Sequence, residues 1–135
     1  CNELINFNKR FCDEHESLKN ESRKQYDKRR YETDKDIRQT YNSTRWRDVR
    51  NGVLLRDNHL CLYCLHQGKY TKAEVVDHFI PIRDDYELRY DRNNLVSACN
   101  RCNTSKAIDE DKLRKNEITF EQFKERWAYE INRGE

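Results

Sequence analysis

Residues 75–107 read VVDHFIPIRDDYELRYDRNNLVSACNRCNTSKA, and their pattern predicts two strands followed by a helix. An apolar run over residues 73–78 predicts the first strand. Pro81 closes it, because proline cannot donate a hydrogen bond to a ladder. A second apolar run at residues 95–98 predicts a short second strand, and a helix begins at Asn100. The sequence therefore predicts a small α+β core.

Two cysteine pairs bracket this core, and each has the C-x-x-C spacing of metal ligands. In a highly charged sequence with no recognisable signal peptide, this pattern favours a metal site over disulfide bonds. Four thiolates around Zn²⁺ form a closed tetrahedral site, so we expect a structural zinc ion that staples a core too small to be stable alone. The predicted ligands are Cys61, Cys64, Cys99 and Cys102.

A C-x-x-H spacing near the N-terminus, at Cys12 and His15, suggests a second zinc ion. Cys1 is the remaining cysteine, so these three residues are one ligand short of a structural zinc site. Either a fourth ligand precedes Cys1 or there is no second site. The chain has no Met, and we expect it to begin after its initiator as an N-terminally shortened fragment.

Residues 1–42 are predicted to form a charged helical arm. Neither Gly nor Pro occurs between Asp13 and Tyr41, and opposite charges recur there at helical neighbour spacing. Apolar residues are too few to bury one face, so the helix either lies on a partner or is simply solvated. Beyond the arm we expect a central domain at residues 43–110 and a C-terminal helix within residues 111–135 that packs on the core.

Two further helices are predicted around the core. The first is amphipathic and runs from Trp46 to about Asp57, although Gly52 within it costs about 1 kcal/mol relative to Ala. The second begins at Thr119, which forms a capping box with Gln122. Large apolar side chains on one stripe of that helix are expected in the core: Phe120, Phe123, Trp127 and Ile131.

The overall charge says little about partners. Lys and Arg number 27 against 25 Asp and Glu, so nucleic-acid binding has to come from local basic clusters such as residues 23–30 and 45–56. No apolar run approaches the roughly 20 residues needed to span a bilayer. We expect a soluble protein with no membrane partner.

Three polar side chains in the core have the chemistry to hydrolyse a phosphodiester. His78 suits a general base, because the pKa of a free histidine is about 6.5. Asp77 and Asn103 offer the oxygen ligands that Mg²⁺ or Mn²⁺ prefers. Successive strand residues point to opposite faces, so Asp77 and His78 can address one phosphate only if the strand bends or ends there. The alternative is that each residue merely hydrogen-bonds or caps its own segment.

This constellation resembles the HNH endonuclease family in its four-cysteine, ββα-metal form. The resemblance covers about residues 43–107, where D-H-x-x-P begins at Asp77 and N-L begins at Asn94. It implies that His78 is the general base and that Asn94 orders the loop that orients it. It also implies that Asp77 and Asn103 hold the single catalytic metal ion. Asn103 stands where the family most often has its final His, so the motif becomes H-N-N.

Two basic residues near that motif, Arg101 and Lys106, are expected from the resemblance to contact phosphate. The segment from Tyr41 to Trp46, YNSTRW, further resembles small phage endonucleases that act with the terminase during DNA packaging. That similarity implies DNA and the terminase large subunit or other packaging proteins as partners. It also implies a cytoplasmic location, in a bacterial host if the protein is phage-encoded.

Taken together, these patterns predict a metal-dependent DNA endonuclease with structural Zn²⁺ and catalytic Mg²⁺ or Mn²⁺. Two alternatives remain open. One is a non-catalytic zinc module that only binds DNA, and the other is a protein that docks on the terminase through the polar helix.

Overall fold

The computed structural model describes residues 13–131, apart from the side chains of residues 13–20, 22 and 31. Contacts divide the chain into two units at the Thr40–Tyr41 bond. Among the described residues, no helix combines the length and the apolar character of a membrane span. The elements in chain order are α1 (Asp13–Tyr41), α2 (Thr44–Arg56), α3 (Leu62–His66), β1 (Val75–His78), two short 3₁₀ turns (Tyr86–Leu88 and Arg92–Asn94), β2 (Leu95–Ala98), α4 (Asn100–Arg114) and α5 (Phe120–Arg126).

The first unit contains nearly all of α1. The predicted charged helix is confirmed over Asp13–Tyr41, and the side chains of residues 23–30 are all exposed; the part of the predicted arm before Asp13 lies outside the described residues. Opposite charges at helical neighbour spacing support such a helix without a continuous apolar face.

The second unit is built on an antiparallel pair of strands. β1 and β2 pair with Val75 opposite Ala98 and His78 opposite Leu95. All of β2 is buried, because Val96 packs into a cluster with α3 and α5 while Leu95 packs with α2 on the other face. With α4 following β2, the predicted α+β core of two strands and a helix is confirmed, although β1 begins two residues later than predicted.

Helix α2 continues through Gly52, as its apolar pattern predicts. Ser43 caps the helix by accepting a hydrogen bond from the Trp46 N–H at 3.1 Å. At the other end the buried Asp57 accepts a hydrogen bond from the Ser97 N–H at 3.2 Å, which ties the helix to β2. Burial of one face of α2 therefore outweighs the local cost of the glycine.

The C-terminal segment differs in part from the prediction. The capping box at Thr119 is confirmed, and Phe123 and Trp127 are buried. Phe120 is 49% exposed, so its predicted core position is wrong. Ile131 packs on the core from outside the helix, because α5 has only two turns. Helix α4 ends at Arg114 and so extends past residue 110, where the central domain was predicted to end.

Candidate active site

His78 is the last residue of β1 and is 5% exposed. Its Nε2 lies 3.0 Å from the carbonyl oxygen of Arg89. Because a carbonyl can only accept, Nε2 carries the proton, and Nδ1 keeps the lone pair that a general base needs. Nδ1 lies 3.5 Å from the Tyr41 hydroxyl, and the imidazole stacks on Trp46 with ring centres 5.1 Å apart.

Burial is the main reason that the pKa of His78 lies below its usual value. The Arg89 carbonyl and the Asp77 carboxylate act in the opposite direction and only reduce this shift. A lowered pKa keeps the imidazole neutral at pH 7, which is the form that can accept a proton.

Asn94 holds the segment that follows His78. Its side-chain Oδ1 accepts from the Ile80 N–H at 2.8 Å, and its Nδ2 donates to the Ile80 carbonyl at 3.1 Å. Its backbone carbonyl accepts from the Phe79 N–H at 2.8 Å. These three bonds fix the two residues after His78.

The Asp77 carboxylate lies beside His78 but is held by different partners. The Tyr63 hydroxyl donates to Asp77 Oδ2 at 2.7 Å, and Lys106 Nζ lies 3.0 Å from the same oxygen. Burial and the charge of Asp77 raise the pKa of Tyr63 well above its usual value, so the phenol remains a donor. β1 ends at His78, and Asp77 and His78 line the same cavity.

Lys106 lies entirely inside the protein, with 0% of its side chain exposed. Its Nζ lies 2.5 Å from Glu110 Oε1 and donates to the carbonyls of His78 at 3.1 Å and Phe79 at 3.0 Å. The expectation that Lys106 contacts phosphate does not fit this placement. A fully enclosed ammonium group cannot reach the phosphates of a nucleic acid that binds at the protein surface. Lys106 instead neutralises carboxylates beneath the cavity.

A cavity of about 530 Å³ opens beside the end of β1. Asn103, on α4, lines it together with Asp77 and His78, so the structure brings these three predicted residues together. Arg101 lies elsewhere: it lines a separate cavity of about 330 Å³ beside the cysteines.

The four predicted zinc ligands converge. Their sulfur atoms all lie within 4.8 Å of one another, with Cys64 Sγ 3.6 Å from Cys102 Sγ and 3.9 Å from Cys99 Sγ. These distances fit a tetrahedral site, because Zn–S bonds of about 2.3 Å place ligand sulfurs roughly 3.8 Å apart. Burial raises the pKa of Cys61 and Cys102, so a bound cation would favour the thiolate forms of these two residues.

The second predicted zinc site lies beyond what the structure describes. Cys1 and Cys12 fall outside residues 13–131, and the His15 side chain is among those not described. That site remains a prediction.

Several residues of the site were not predicted. Tyr63 and Glu110 hold Asp77 and Lys106, and Trp46 and Tyr41 enclose His78. A sequence signal existed for Glu110, which follows Lys106 by four residues and therefore lies on the same helical face. Tyr63 lies fourteen residues before Asp77 in the chain, and no local pattern connects them.

Comparisons with known proteins agree with this geometry. A family model described as HNH endonuclease matches residues 61–107, and one described as Domain of unknown function (DUF8602) matches residues 1–37. A solved structure, "Crystal structure of deep-sea thermophilic bacteriophage GVE2 HNH endonuclease with manganese ion", is 40% identical with a TM-score of 0.60. The match covers 67% of this chain and 96% of that one. No curated protein matches.

A histidine at the end of a short strand, a second strand, a following helix and a four-cysteine cluster define a small nuclease of the ββα-metal class. The chain belongs to the HNH endonuclease family, and the protein is an endonuclease.

Proposed function

We propose that the protein hydrolyses DNA phosphodiester bonds with His78 as the general base. The observation that carries the proposal is the geometry of this side chain: Nε2 is bound to the Arg89 carbonyl, and Nδ1 keeps its lone pair beside the cavity. In the reaction Nδ1 accepts a proton from water as the water oxygen bonds to phosphorus. The bond from phosphorus to the leaving oxygen breaks, and that oxygen takes a proton from solvent.

Asp77 and Asn103 are the residues we assign to a catalytic Mg²⁺ or Mn²⁺. When bound, the ion supplies positive charge against the developing charge on the phosphate. The donor set fits, because a carboxylate and an amide oxygen suit hard cations. Tyr63 and Lys106 both contact Asp77 Oδ2, so we assign Oδ1 to the metal. Manganese in the similar phage structure supports this assignment.

Asn94 acts in this proposal as a positioning residue. By holding Ile80 through both its amide atoms, it sets the course of the chain just after His78. It also lies directly before β2, which pairs with the strand that carries the base. The side chain therefore orients His78 without contacting substrate.

We assign structural Zn²⁺ to the four-cysteine cluster and nuclease activity to residues 43–110. In the same proposal residues 111–135 support the core, and residues 1–42 bind DNA or a packaging protein such as the terminase large subunit. The likeness to a bacteriophage endonuclease supports a phage context, and the resemblance of residues 41–46 to packaging endonucleases supports a role in DNA packaging inside a bacterial host cell. Co-purification of the protein with its terminase, lost when residues 1–37 are deleted, would support that role; retention by the shortened chain would contradict it.

The test of the proposal is a supercoiled-plasmid nicking assay with Mg²⁺, Mn²⁺ or EDTA. We expect metal-dependent nicking by the wild type and a loss of at least about 100-fold in His78→Ala, the lower range for a general base. His66→Ala is the control, because His66 is exposed on α3 and should leave the rate unchanged. Equal rates for wild type and a folded His78→Ala would favour a module that only binds DNA.

A further inference from the structure

Three arginines line the same cavity as His78. Arg50 lies on α2, Arg83 follows β1, and Arg114 is the last residue of α4. Two carboxylates, Asp77 and Glu110, also line this cavity, so its guanidinium groups outnumber its carboxylates. Such a surface suits a DNA strand, which carries one negative charge per nucleotide.

For comparison, Arg56 has a structural role, and short hydrogen bonds hold its guanidinium group. Arg56 binds both carboxylate oxygens of Asp57, at 2.7 and 2.8 Å. It also donates to the carbonyls of Arg92 and Leu95, each at 2.7 Å. These short bonds join α2 to β2 and leave Arg56 unsuited to exchange its partners for a ligand.

Arg50 and Arg114 are held much more weakly. Arg50 Nη2 lies 3.4 Å from the Glu74 carbonyl, beyond the usual length of an N–H···O bond. Arg114 Nη2 lies 3.3 Å from Asp84 Oδ2, and the two side chains are 45% and 47% exposed. Exposed pairs of this kind contribute little to stability, so both guanidiniums can turn to a phosphate at little cost.

We propose that Arg50 and Arg114 bind the DNA phosphates on either side of the one that is cleaved. α2 and α4 both pack against β1, whose end carries Asp77 and His78. A strand that crosses the cavity from one helix to the other therefore passes His78. Guanidinium groups bind phosphate through paired hydrogen bonds and fix the position of the backbone without reading the bases. This inference rests on the proposed nuclease function and adds the path of the substrate.

The path can be measured by DNA binding alone. We would record the affinity of a short fluorescein-labelled duplex at several salt concentrations without added Mg²⁺ or Mn²⁺, for the wild type, Arg50→Ala, Arg114→Ala and the double variant. We expect each single change to weaken binding roughly 10-fold and to reduce the salt slope by about one. Nicking should show a raised KM in the same variants, and thermal stability should be unchanged.

Control variants that each remove one positive charge outside the cavity separate binding along this path from general electrostatic attraction between the protein and DNA. Lys124→Ala removes a charge that is 48% exposed on α5, and Lys115→Ala removes one that is 63% exposed just after α4. Neither residue lines the cavity, so we expect wild-type slopes. Equal losses in controls and cavity variants, or none in the cavity variants, would overturn the proposal. If the wild type does not nick DNA, the result counts against the nuclease function. The salt dependence of DNA affinity would still test the proposal for Arg50 and Arg114.

Discussion

Near the end of β1, one fully buried lysine contacts two carboxylates that are 11% and 14% exposed. Lys106 Nζ lies 3.0 Å from Asp77 and 2.5 Å from Glu110. Burial raises the pKa of Glu110, and the ammonium group opposes that shift. A buried charge persists only when it is paired, so these three residues depend on one another.

Replacing the lysine exposes this dependence. We expect Lys106→Met to lower the free energy of unfolding by about 3–5 kcal/mol, because Asp77 and Glu110 would lose their buried counter-ion. Urea unfolding measures this loss. Mn²⁺ should restore part of it, since the divalent cation that we assign to Asp77 would replace the missing charge.

The matching control is Lys115→Met. Its ammonium group forms an exposed pair with Asp111 at 3.0 Å, so we expect a much smaller change than in Lys106→Met and no added response to Mn²⁺. Similar losses for the two lysines would contradict the buried-charge account.

Among the helices, α2 contains an interior glycine, Gly52, that lowers its helix propensity. A Cβ at Gly52 would meet Arg92 Nη1 at 3.2 Å, and this atom is the far end of an exposed, flexible side chain. We expect Gly52→Ala to raise the free energy of unfolding by up to about 1 kcal/mol through helix propensity. Gly68→Ala is the contrasting variant: Gly68 has φ +79°, so Ala should destabilise there despite open space. Thermal unfolding tests both expectations: the Tm should rise in Gly52→Ala and fall in Gly68→Ala.

One buried carboxylate of α4, Asp109, adds polar contacts to the packing of the C-terminal segment on the core. Asp109 Oδ2 accepts from Trp127 Nε1 at 2.9 Å and lies 2.9 Å from Arg126 Nη1. Removing a buried partner of this kind leaves the indole N–H unsatisfied. We expect Asp109→Ala to cost about 2–3 kcal/mol in urea unfolding.

Asp111→Ala, two residues further along α4, is the control for this carboxylate. Asp111 is exposed and pairs only weakly with Lys115, so its loss should change stability by less than about 1 kcal/mol. A comparable effect of both changes would argue against this role of Asp109.

For the molecule as a whole, the four-cysteine cluster joins the chain before β1 to the start of α4. Cys61 precedes α3 as its N-cap, Cys64 lies within that helix, and Cys99 caps α4 through its own sulfur. The second unit has a two-stranded sheet, which is too small to be stable by itself. Metal binding then contributes directly to folding.

We therefore expect Cys99→Ser to abolish the cooperative thermal unfolding of the second unit and its bound zinc, measured by calorimetry and elemental analysis. Cys12→Ser is the comparison, because Cys12 precedes the second unit and should leave its unfolding intact. A cooperative transition in Cys99→Ser with no zinc bound would falsify the zinc-scaffold assignment.

The sequence by itself determined the two strands, the helix that follows them and the ligand cluster. Strand-forming runs, the break at Pro81 and the paired cysteines act over a few residues, so local spacing was enough to predict β1, β2, α4 and the convergence of four sulfurs. Resemblance to a family added His78, Asp77 and Asn103, which the structure brings to one cavity.

Only the tertiary structure decided what each polar side chain faces. Lys106 lies three residues after Asn103 on one helical face, yet packing of α4 against β1 encloses the lysine and leaves Asn103 at the cavity. The partner of Asp77, Tyr63, comes from a distant helix. Burial and hydrogen-bond partners depend on how the elements pack against one another. The spacing of residues along the chain does not report which elements are close in space.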